Sequence, residues 1–108
     1  YRGVIMGDAI VVFELKYKIG RRYRVEQTVF KVDPNKRYPD GMIVKFVLID
    51  DHRNMPVLLL DNHAPFGFHI HAQLPEQKHV RTKLDMKNYV DALIEFERLV
   101  DEVVKNED

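Results

Sequence analysis

The stretch Leu60–His79 holds most of the side chains able to do chemistry: Asp61, His63, His69 and His71 lie inside it, and His79 closes it. Imidazole titrates near neutrality, so two histidines can hold different protonation states at one reacting group. On a phosphodiester, one would deprotonate a 2′-hydroxyl and another would protonate the leaving oxygen. Two or three imidazoles with a carboxylate also make a complete ligand set for zinc or a similar divalent metal. A third use is anion binding without chemistry. There Lys78, Arg81 and Lys83 would supply charge, and Phe66 or Phe68 would stack on a base. Spacing alone leaves all three open.

Each residue also has an ordinary structural use. A His-X-His pair is frequent on exposed strand faces. Asp61-Asn62 reads equally as a strand-ending turn, and His63 beside Pro65 and Gly67 reads as loop packing. His52 reads as an exposed turn residue. The basic run Arg21-Arg22-Tyr23-Arg24 could meet phosphates or simply guard a sheet edge.

The elements that must position these residues are legible from period. Val4-Ile5-Met6, with a Gly7-Asp8 turn, is a short apolar opening. From Phe13 to Ile19 apolar and charged residues alternate, which predicts a half-buried strand. Gly20-Arg21 supplies a hairpin turn. A second strand is expected over Arg22–Val32, antiparallel to the first because the connection is too short for a crossover. Residues 33–41 are rich in breakers and read as a loop. Met42–Ile49 is apolar on both faces and is expected at the sheet centre. A fourth strand is expected over Val57–Leu60, and Phe68–Gln73 as a short fifth. In that fifth strand His69, His71 and Gln73 would share one face, and Phe68, Ile70 and Ala72 would point into the core. A helix is expected over Lys83–Glu107, capped by Asp85, with Tyr89, Leu93, Phe96, Val100 and Val103 on its apolar stripe. The architecture expected is α+β: an antiparallel meander of four to five strands with one long C-terminal amphipathic helix on one face, as a single domain over residues 1–108.

Composition narrows the function classes. The 108 residues suit one domain, and 45% hydrophobic with 31% charged residues argues against disorder. Lysine and arginine total 17 and aspartate and glutamate total 17, so no global basic field advertises nucleic acid. Without cysteine there is no disulfide, thiolate ligand or cysteine nucleophile, and without serine there is no Ser-His-Asp hydrolysis. No apolar run reaches the roughly 18 residues of a membrane span, and no signal peptide is visible. The lack of cysteine is compatible with a reducing cytosol, and a non-membrane protein is the expectation. The chain opens on Tyr1 rather than methionine, so its natural start is expected to lie upstream.

The order of elements, with an apolar strand ending in Leu60-Asp61-Asn62, the Ala64-Pro65 turn, the His63, His69 and His71 cluster and a terminal helix, resembles the small TumE-type proteins. Those are toxin components of toxin–antitoxin pairs. Phe66-Gly67-Phe68 interrupts the more crowded histidines usual in that family. The resemblance implies a prokaryotic cytoplasmic protein, a helix-turn-helix antitoxin as partner, and RNA or the translation machinery as target.

The leading expectation is therefore a metal-independent ribonuclease. His69 and His71 would do the acid–base work, with His63 as orienter or third participant and Asp61 fixing a tautomer. Phe68, Lys78, His79 and Arg81 would contact RNA. The imidazoles should then converge within about 4–7 Å around a solvent-filled groove. Two alternatives remain at this stage: a histidine/carboxylate protein binding a divalent metal, and a non-catalytic interaction module, as a homodimer or docked on an antitoxin.

Overall fold

A computed structural model describes residues 9–106, and the Val4-Ile5-Met6 opening lies outside them. Seven elements follow one another: β1 (Ile10–Ile19), β2 (Tyr23–Lys31), β3 (Met42–Asp50), β4 (Met55–Asp61), β5 (His69–Ala72), β6 (Thr82–Lys83) and α1 (Tyr89–Asn106). The strands form one sheet in sequence order, β1-β2-β3-β4-β5-β6, and every pairing is antiparallel. This is the expected α+β meander with a C-terminal helix. It has one strand more than the four to five expected, because the two-residue β6 is too short to leave a periodic signal.

The core lies between the sheet and α1. On the helix side, β2 contributes Tyr23, Val25 and Val29, β3 contributes Val44, Phe46 and Leu48, and Leu58, Leu60 and Ile70 extend the layer across β4 and β5. Ala92, Phe96 and Val100, spaced one helical turn apart, close it from above. The Phe46 and Phe96 rings meet with centroids 5.7 Å apart.

The helix begins later than its pattern suggests. Asn88, rather than Asp85, is the cap: its Oδ1 accepts from the Asp91 amide at 3.0 Å, and its Nδ2 donates back to Asp91 Oδ2 at 3.2 Å. The preceding residues are held by the sheet. Leu84 donates its amide to Phe68 O at 2.9 Å, and Leu84 and Met86 pack against the core. Met86 also falls on the helical stripe of Tyr89 and Leu93, but Leu84 and Met86 together follow a period of two, and the sheet edge decides between the two readings.

Polar groups pin the two layers together at a partly buried point. Gln27, wholly buried in β2, donates from Nε2 to Glu97 Oε2 at 2.6 Å, and Tyr17 OH donates to the same oxygen at 2.9 Å. Burial, the hydrogen bond to Glu97 and the nearby charges of Glu97 and Asp101 raise the Tyr17 hydroxyl to about 12. Glu97→Ala removes one charged acceptor from two donors. Its expected cost is about 2 kcal/mol in chemical denaturation. Absorbance titration should show the Tyr17 pKa falling only part of the way back, because burial is the larger cause.

The arginines of the β1–β2 hairpin serve the sheet. Arg22 pairs with buried Asp50 at 2.8 Å, and Arg24 pairs with Asp51 at 2.9 Å. The Arg22 hydrogen bond, helped by the Arg53 and His52 amides, holds the Asp50 carboxyl at about 2. They are spent on acidic residues at the β3–β4 turn rather than on guarding a sheet edge, since β2 lies inside the sheet.

Candidate functional site

The end of β4 and the turn after it build the site. Asn62 extends the ladder past the last strand residue with its side chain: Oδ1 accepts from Val44 N at 2.9 Å, and Nδ2 donates to Met42 O at 2.8 Å. Asp61 Oδ1 accepts from the amides of Asn62 at 2.6 Å and His63 at 3.3 Å, which closes the turn. The amides of Phe66 and Gly67 both return to His63 O at 3.2 Å, and Ala64 N donates to Arg37 O at 2.7 Å in the β2–β3 loop. Gly67, at φ 67°, occupies the left-handed region that favours glycine.

The register of β4 with β5 then places the histidines. Asp61 faces His69, and Leu59 faces His71. Residues opposite one another share a face, so His69 and His71 lie on the side of the sheet away from α1, as the alternation predicts. Gln73 does not join them. The strand ends at Ala72, and Gln73 turns the chain with φ 55°. Ala72 is exposed rather than in the core.

The three imidazoles form a contiguous row. Ring centroids are 4.8 Å apart for His63 and His69, and 5.3 Å apart for His69 and His71. Phe66 touches both His63 and His69 at 5.5 Å, and the Arg81 guanidinium lies 4.1 Å over the Phe66 ring. His69 is only 1% exposed and His71 9% exposed, and His63 is half-buried. The burial of His69 on a face the helix leaves open comes from this cover of rings.

Backbone carbonyls, not Asp61, hold the imidazoles. His69 Nδ1 donates to Gly67 O at 2.7 Å, and His63 Nδ1 donates to Ala64 O at 3.1 Å. Since a carbonyl only accepts, both rings carry hydrogen on Nδ1, and Nε2 is left as the basic nitrogen. Among the described residues, His69 Nε2 and His71 Nδ1 are buried without a hydrogen-bond partner. Burial pushes the His69 pKa down; the Gly67 hydrogen bond and the Asp61 charge oppose this, and the charges of His63 and His71 add to it. His69 is therefore a neutral ring at neutral pH.

The remaining sequence candidates are scattered. Arg81 reaches the row through Phe66. Lys78 and His79 are exposed on the turn between β5 and β6, outside the ring row, and His52 is exposed in the β3–β4 turn. Phe68 packs against the core, so Phe66 is the exposed aromatic. Lys45 and Asn62 escape sequence reasoning as site residues. Lys45 stands with Lys83, already a candidate for anion binding, in the cross-strand line Lys45–Asp61–His69–Lys83, which only the pairing register reveals, and Lys45 has no local signal at all. The exposed lysines put positive charge at both ends of that line. Asn62 is the other omission, since its ladder contacts reach 18 and 20 residues back along the chain.

The imidazoles expected around a groove stand in a packed row, with centroids 4.8 and 5.3 Å apart. The rings pack on one another, and a cavity of about 410 Å³ lies beside the turn instead, lined by Pro39, Asp40, Asn62, Ala64, Pro65 and Gly67. Nor do the donors converge on a metal position. Among the described residues, no three histidine, aspartate or glutamate side chains are grouped to hold an ion. Asp61 is occupied by two amides, and two Nδ1 atoms by carbonyls. No helix among the described residues is long and apolar enough to cross a membrane. No family model, no curated protein and no solved structure matches the chain significantly.

Proposed function

We propose that this chain is a toxin-like component of a prokaryotic toxin–antitoxin pair, acting in the cytoplasm on RNA through histidine acid–base chemistry. The observation that carries the reading is the row of three imidazoles centred on a buried, neutral His69. The row is flanked by Lys45, Lys83 and Arg81, charges suited to a phosphodiester backbone. Its partner would be a helix-turn-helix antitoxin, as the resemblance of the Leu60–His71 stretch implies.

Burial redistributes the roles expected from sequence. His69 is the most buried of the three, so half-buried His63 and the small exposed part of His71 are left to meet substrate. His63, with hydrogen on Nδ1, offers Nε2 as the base for a 2′-hydroxyl proton. The freed oxygen attacks phosphorus, the bond to the 5′-oxygen breaks, and His71, as the general acid, gives that oxygen its proton. His69 is a positioning residue between them. Phe66 is the ring on which a base could stack, with Arg81 already seated on it.

Incubation of the purified chain with total bacterial RNA tests this. Cleavage that survives excess chelator and leaves 2′,3′-cyclic phosphate ends is the expected result, with the corresponding DNA untouched. Intact RNA at micromolar protein, together with normal growth of cells expressing the chain alone, would overturn the reading.

A further inference from the structure

The two margins of the sheet are unlike. β6 ends it after two residues, whereas β1 runs for ten and pairs only with β2 among the described residues. Long edge strands template pairing with another chain unless charge, proline or shortness blunts them. β1 has no proline, and Ile10, Val11, Val12 and Leu15 are 61%, 46%, 44% and 45% exposed. Four exposed apolar residues on one edge strand call for a cover, and we propose that the cover is a second copy of this chain, its β1 antiparallel to the first.

Charge selects the occupant and the register. Opposite residues of an antiparallel pair share a face, so a two-fold pairing that continues the sheet is centred on a single residue. Centred on Leu15, it sets Glu14 of each copy against Lys16 of the other. Phe13 likewise meets Tyr17 twice. Moving the centre one residue either way puts Glu14 against Glu14 or Lys16 against Lys16, and like charges directly opposed are destabilising. Glu14 and Lys16 are both exposed and lie on the face away from α1, while Phe13, Leu15 and Tyr17 lie on the face that α1 packs against. The only irregularity of β1 falls between Val11 and Phe13, so the stretch Phe13–Tyr17 is regular and free to pair. Of these three registers, the one centred on Leu15 sets no like charges opposite one another.

Sedimentation velocity on the full chain tests this. Wild type should be a dimer at micromolar concentration. Glu14→Lys alone sets lysine against Lys16 at two positions, and Lys16→Glu alone sets glutamate against Glu14. Each should raise the dimer dissociation constant by about tenfold or more. An equimolar mixture of the two variants should recover a heterodimer, and so should the double variant E14K/K16E as a homodimer. The mixture also controls for folding, since misfolded chains would not restore each other. A wild type that stays monomeric at every accessible concentration overturns the proposal and leaves the edge to a strand of different sequence. A dimer indifferent to both single reversals, or a mixture that fails to recover, overturns it equally.

Discussion

Alanine at His63 or His71 should slow RNA cleavage by about 10²–10⁴-fold, the usual contribution of a positioned acid or base. Both variants should keep the wild-type circular dichroism spectrum, because neither ring lies between the sheet and α1. His69→Gln reads differently. A neutral buried ring that orients its neighbours sets their pH response, so this variant should move the pH–rate profile as well as lower its maximum. For wild type, the depressed His69 pKa keeps that ring unprotonated at neutral pH, and the rate should fall as acidification passes below the ordinary histidine value of about 6.5. The same shift has a stability sign. Between the unfolded and folded pKa the unfolded chain holds more protons, so stability contributed by His69 burial is present at neutral pH and is lost as pH drops. Wild-type rates in both the His63 and the His71 variant would remove the acid–base assignment.

The largest stability effect is expected at Phe96. Its side chain is fully buried on the middle of α1 and meets Phe46 at the centre of the sheet. Phe96→Ala should cost about 3–5 kcal/mol, transfer and cavity together. A domain of this size has only about 5–15 kcal/mol in hand. The melting temperature should fall by roughly 15–30 °C. Val90→Ala, on the same helix but half exposed, should change stability by less than about 0.5 kcal/mol. Near-equal losses at the two positions would mean that α1 is not docked through Phe96.

What the sequence discloses follows from which forces are local. β1 and β2 are legible because alternation is written into consecutive residues, β3 and β4 because each is an apolar run between breakers, and the face shared by His69 and His71 is legible from alternation again. The start of α1 is misread at Lys83 because Met86 falls on the helical stripe although, with Leu84, it also follows a period of two. A hydrogen bond to Phe68, a distant neighbour in sequence, settles it. The burial of His69 is invisible for a related reason. It depends on Phe66 and His63 folding back over the strand and on Arg81 closing above Phe66. Alternation predicts which side a residue takes. It says nothing about what the loops lay over that side.

The brevity of β6 has a consequence of its own. Two residues present too few free amides and carbonyls to seed further growth of the sheet. Association through β1, as proposed, would occupy the longer margin of the sheet among the described residues, and a closed pair would then form where an open filament otherwise would. Concentrated solutions of this chain should fill with discrete particles of fixed mass, and amyloid-binding dyes should stay dark in them.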